Sequence, residues 1–160
     1  MERGTIENRY RITQNFNIMH FYTGNIEPME DVIFVFGRNP EGRHGAGSAY
    51  VARNLFGAVY GVGEGITGSS YALPTKDIRV PGTRSISKEQ IKLNIEKMYE
   101  TAKSMPDKKF MVAYRTTENE VSLNGYSGLE MVEMFMSHDV PENVWFSDEW
   151  RQIIEKYYQK

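Results

Sequence analysis

Five consecutive apolar residues, Val32-Ile-Phe-Val-Phe36, constrain the fold of this 160-residue chain more than any other feature. A strand with one wet face alternates apolar and polar residues. An unbroken apolar run instead predicts a strand covered on both faces, inside a sheet held between two layers. Further strands are predicted at 16–22, 70–74, 109–114 and 143–146. Helices are predicted at 48–56, 87–105 and 129–135, with a last one opening at Ser147. The helix at 87–105 is the clearest: Ser87-Lys-Glu-Gln90 has the form of a capping box, and Ile91, Ile95, Met98 and Ala102 follow at helical spacing. At Ser147-Asp-Glu-Trp150 a serine cap and an acidic first turn suit the helix dipole. Strands alternating with helices predict an α/β three-layer domain with a mostly parallel mixed sheet flanked by helices. It spans 1–160 as one unit, with 1–15 an extended arm or an edge strand. Met131, Met134 and Met136, with Trp145 and Trp150, read as core material.

Composition excludes several function classes. There is no cysteine, so disulfides, thiolate metal sites and a thiol nucleophile are absent. His20, His44 and His138 lack companions at ligand spacing, so no metal and no cofactor are expected. A net charge of −2 without blocks of one sign argues against nucleic-acid binding through bulk charge. No apolar run approaches the ~20 residues of a membrane helix, and the first residues lack an apolar signal core. A cytoplasmic protein without a membrane partner is the expectation.

Nine of the fourteen glycines lie between Gly37 and Gly68, directly after the apolar run, so this segment is the first place to look for a ligand. Gly45-Ala46-Gly47 enters the helix predicted at 48–56, whose free amides and dipole suit a diphosphate, with Arg38, Arg43 and His44 as nearby donors. The competing reading is a surface turn whose glycines serve geometry. His44 suits acid–base work near neutral pH. Gly63-Glu-Gly-Ile-Thr-Gly68 has dinucleotide-fingerprint spacing, but a strand follows it where a helix is required. No Gly-Lys-Ser/Thr triplet exists, which excludes an ATP-binding P-loop. Lys76 and Asp77 end a strand, where they meet either a ligand's hydroxyl or phosphate or one another.

Val35-Phe-Gly-Arg-Asn-Pro-Glu-Gly-Arg-His-Gly-Ala-Gly-Ser-Ala49, Phe56-Gly-Ala58, Gly61-Val-Gly-Glu-Gly65 and Gly68-Ser-Ser-Tyr-Ala-Leu-Pro-Thr-Lys-Asp77 resemble an uncharacterised phage and bacterial family, most of all its versions from large tailed phages. That family is similar in fold and loop layout to macro domains, which bind ADP-ribose and related NAD-derived ligands. The resemblance spans 32–154 and implies a macro-like fold. It implies that Asn39, Gly42, His44, Gly45 and Gly47 form the first ligand loop, with Gly45, Ala46, Gly47 and Ser48 as the contact for the distal ribose and diphosphate. Tyr71, Pro74, Thr75, Lys76 and Asp77 match its second motif. One departure stands out: relatives carry a second glycine-rich loop after the late strand, where this chain has Arg115-Thr-Thr-Glu-Asn-Glu-Val-Ser-Leu-Asn-Gly125. The expected function is binding of an NAD-derived small nucleotide, in a host cytoplasm if the chain is phage-encoded. The alternatives are an ADP-ribosyl or phosphoester hydrolase with His44 or Asp77 as general base, and a non-enzymatic protein that binds a host protein.

Overall fold

The apolar run lies inside a six-stranded sheet and is covered on both faces. The computed structural model describes residues 16, 18–38, 48–59, 62, 64–77, 79–122 and 124–159. Its elements in chain order are β1 (His20–Tyr22), β2 (Val32–Arg38), α1 (Ser48–Leu55), β3 (Gly65–Thr67), β4 (Ser70–Pro74), α2 (Lys88–Ser104), β5 (Lys109–Val112), α3 (Gly128–Phe135), β6 (Val144–Ser147), a 3-10 turn (Asp148–Trp150) and α4 (Arg151–Gln159). The sheet order is β1-β6-β5-β2-β4-β3. All neighbours pair in parallel except β3, which runs antiparallel to β4. This is the predicted α/β architecture, with a mostly parallel mixed sheet flanked by helices.

The period of the strand explains why the run is unbroken. Val32, Phe34 and Phe36 point to the face that carries α1, joining Ala52, Phe56 and Ala72. Ile33 and Val35 point to the opposite face, which α2, α3 and α4 cover with Ile95, Met98, Met131, Phe135 and Ile154. Phe34 stacks on Phe56 at 4.5 Å between ring centroids. Each buried side chain of this size stabilises the fold by ~1.5–3 kcal/mol. Met131, Met134, Met136 and Trp150 are core residues as expected. Trp145 lies on the other face, half-buried and stacked on His20 at 4.6 Å.

Three departures have physical causes. The first strand begins at His20, because the Met19 N–H turns back to the Phe16 carbonyl at 3.1 Å. Ser87 caps α2 by accepting from the Gln90 N–H at 3.1 Å, but the Gln90 side chain donates to Asn94 and does not reach back. The full capping box belongs to α3, where Ser127 and Glu130 exchange both bonds. The third departure is β3, which forms a hairpin with β4. Gly68 turns that hairpin at φ +57°, and a Cβ there would lie 2.5 Å from the Gly57 carbonyl. Gly57, itself at φ +70°, follows the end of α1, and the Ser69 N–H donates to the Phe56 carbonyl at 2.8 Å. These glycines therefore pack backbone on backbone at the amino end of β4, at the opposite end of that strand from the carboxyl edge.

Candidate functional site

Five parallel strands bring their carboxyl ends to one edge of the sheet. From β2 the chain passes to α1 on one face and on towards β4. From its neighbour β5 it passes to α3 on the other face and on to β6. Between β2 and β5 the connections part in opposite directions. That is a topological switch point, where a doubly wound sheet leaves a crevice for a ligand.

Gly37 lies at this edge, near the end of β2, paired with Leu73 of β4. Over it the hydroxyls of Thr75 and Tyr114 share a hydrogen bond of 2.9 Å. A Cβ on Gly37 would run into the Tyr114 hydroxyl and come within 2.8 Å of its ring carbon Cζ. Gly37 is thus required by a side chain crossing the sheet edge. The Tyr114 ring packs beside Phe135 and stacks near Trp150 at 6.2 Å. Burial pushes its phenol up to about 12, against the opposing pull of hydrogen bonds from Thr75 and Asn124. Tyr114 accordingly keeps its proton at neutral pH.

Two loops at this edge are laced together. Arg84, at φ +55°, donates through Nε to the Gly125 carbonyl at 3.0 Å and through its terminal nitrogen to Glu130 at 2.9 Å. Its guanidinium also lies 4.8 Å from the centre of the Tyr126 ring. Lys88 reaches the same carboxylate at 2.8 Å. Lys88 and the Ser127 N–H together hold Glu130 down at about 2. Beneath the loops, Asn94 donates to the Pro74 carbonyl at 3.0 Å, and Trp150 donates to the Thr116 carbonyl at 2.8 Å. The Thr116 hydroxyl is buried and has no hydrogen-bond partner among the described residues.

The expected site residues divide into three groups. Asn39, Gly42, Arg43, His44, Gly45, Ala46 and Gly47 lie outside the described residues, and of Ser48 only its place at the start of α1 is described. Thr75, Lys76 and Asp77 stand at the carboxyl end of β4, with Thr75 bonded to Tyr114 over Gly37. The Lys76 ammonium donates to the Gly82 carbonyl at 3.5 Å. Both carboxylate oxygens of Asp77 accept from Arg79 at 3.0 Å, so work as a base requires that pair to open. Tyr71 falls elsewhere: it lies towards the amino end of β4 facing α2, is 3% exposed, and packs beside Phe110. That is a core position: residues 71, 73 and 75 share one face of the strand, but Tyr71 sits well before its carboxyl end, where α2 covers it.

Gly37 opens the glycine run expected to carry a ligand, whereas Tyr114, Asn94 and Arg84 were not legible as residues of this edge. Tyr114 had one available signal, its place as the last residue of a predicted strand in an α/β pattern. Asn94 had none, since its role depends on α2 passing the end of β4. Among the described residues no group of three His, Asp or Glu side chains is placed to hold a metal ion, and no helix is long and apolar enough to cross a membrane.

Fold and edge together define a class: an α/β domain whose mostly parallel, doubly wound sheet has a topological switch point between β2 and β5. No protein-family model, curated protein or solved structure matches the chain.

Proposed function

We propose that this chain binds a small NAD-derived nucleotide of the ADP-ribose class in the crevice between β2 and β5. The observation that carries the reading is the switch point itself, from which the glycine-rich segment 39–47 continues directly out of β2. Glycines on such a connection let a diphosphate approach backbone amides. The resemblance to macro-like phage proteins narrows the nucleotide to the ADP-ribose class. A phage protein of this kind would sequester a host signalling nucleotide.

Binding is favoured over hydrolysis by the state of the described polar groups. Tyr114 holds its proton and serves as a hydrogen-bond donor or acceptor, while the Asp77 carboxylate is engaged by Arg79. The test is a thermal-shift panel of ADP-ribose, NAD, ADP, AMP and cyclic nucleotides on the purified chain. A binder at 100 times its Kd adds ~2.7 kcal/mol of stability, a shift easily read. Gly45→Val removes the shift. Silence across the panel refutes the proposal, and turnover of an ADP-ribosylated protein that disappears in His44→Ala would replace it with the hydrolase.

A further inference from the structure

We infer that Arg115 is the cationic contact for the phosphate groups of the bound nucleotide, an assignment that rests on the function proposed above. Arg115 follows Tyr114 directly, and the Ala113 N–H still extends the ladder to the Val35 carbonyl at 2.8 Å. Its backbone therefore stands at the carboxyl edge of the sheet beside β2, and its guanidinium extends over the ends of β6 and β1, towards Glu149 and Tyr22. Side chains alternate along this strand, with Phe110 and Val112 towards the three-helix face and Met111 and Ala113 towards the face of α1. Arg115 follows the second set: its guanidinium lies 5.5 Å from the centre of the Tyr22 ring, and Tyr22 belongs to the cluster under α1. Its charge is thus on the face that carries α1.

The charge is also less committed than its neighbours. Arg79, Arg84 and Arg151 each have a carboxylate oxygen within 3.0 Å. The carboxylate partner of Arg115 is Glu149 at 3.8 Å, whose side chain is 60% exposed against 29% for Arg115. A pair that long and that exposed holds little energy. A guanidinium carries five N–H donors in a planar fork, and those left over suit paired phosphate oxygens. With its stem packed on an aromatic ring, the fork is oriented before a ligand arrives, which lowers the entropy cost of binding.

Calorimetric titration of the full chain with ADP-ribose, repeated at several salt concentrations, tests this. Arg115→Gln weakens binding by roughly tenfold or more, the fold-change of one charge-assisted hydrogen bond, and flattens the salt dependence. Arg115→Lys recovers part of the affinity and the salt slope. Glu149→Gln, at an exposed position, tightens binding by about twofold or more because a competing anion is gone. Arg115→Gln that binds within about twofold of the unsubstituted chain, or that weakens binding with an unchanged salt slope, overturns the assignment while leaving the nucleotide reading intact. If Arg115→Gln fails to fold, Glu149→Gln decides: unchanged or weaker affinity overturns it. An unsubstituted chain that binds no ADP-ribose overturns the proposed function and this assignment together.

Discussion

Replacing Gly37 by alanine tests the claim that this glycine exists to let Tyr114 cross the sheet edge. The added methyl would occupy the place of the Tyr114 hydroxyl and lie 2.8 Å from Cζ and 3.2 Å from the Thr75 Oγ1. The ring cannot swing aside freely, because Phe135 and Trp150 pack against it. Overpacking of this kind costs ~1–3 kcal/mol. Displacing the hydroxyl also loses the 2.9 Å bond to Thr75, about 0.5–1.5 kcal/mol. Gly37→Ala is therefore expected to destabilise the chain by about 2–4 kcal/mol, read in urea as a lower midpoint at unchanged slope. Tyr114→Phe removes the atom in the way, so in that background the same substitution costs less by ~1 kcal/mol or more. A cost below about 0.5 kcal/mol, or equal costs in both backgrounds, would refute the reasoning.

Three further outcomes follow from the loops. Glu130→Gln keeps a carbonyl to cap α3 but loses the charge held by Lys88 and Arg84, at a cost of about 1 kcal/mol for a surface network. Glu130 binds its proton less readily folded than unfolded, so the difference is full above its ordinary value of 4.5 and disappears as pH falls towards about 2, which denaturation at stepped pH would reveal. At residue 84 the usual order of alanine and glycine is inverted: with φ at +55°, Arg84→Gly is more stable than Arg84→Ala by ~1 kcal/mol in paired melts. Thr116→Val removes a buried hydroxyl without a partner among the described residues and raises stability by about 1 kcal/mol, and a loss of similar size in the same melts would contradict this.

Much of the fold was legible because local patterns report burial directly. The continuous run at Val32–Phe36 announced a strand with two covered faces, and Ile91, Ile95, Met98 and Ala102 announced the buried stripe of α2. The pattern at Ser87 was read too far, since a capping box needs the side chain of its fourth residue to turn back, and Gln90 is drawn off by Asn94. β3 went unread because its three residues sit among glycines, and only pairing with β4 makes them a strand.

The site divides along the same line. The sequence by itself determined a mostly parallel α/β sheet and a glycine-rich connection after β2, because strand period and glycine backbone freedom are local properties. It placed Thr75 at a strand end for the same reason, yet the neighbouring motif put Tyr71 in a ligand role, although it lies well before that end and α2 buries it. Only the tertiary structure decided that β2 lies between β4 and β5, and so that Gly37 passes beneath Tyr114 and Thr75 and that the switch point opens between β2 and β5. Strand order depends on which faces of distant segments bury each other best, and no single stretch of chain carries that information.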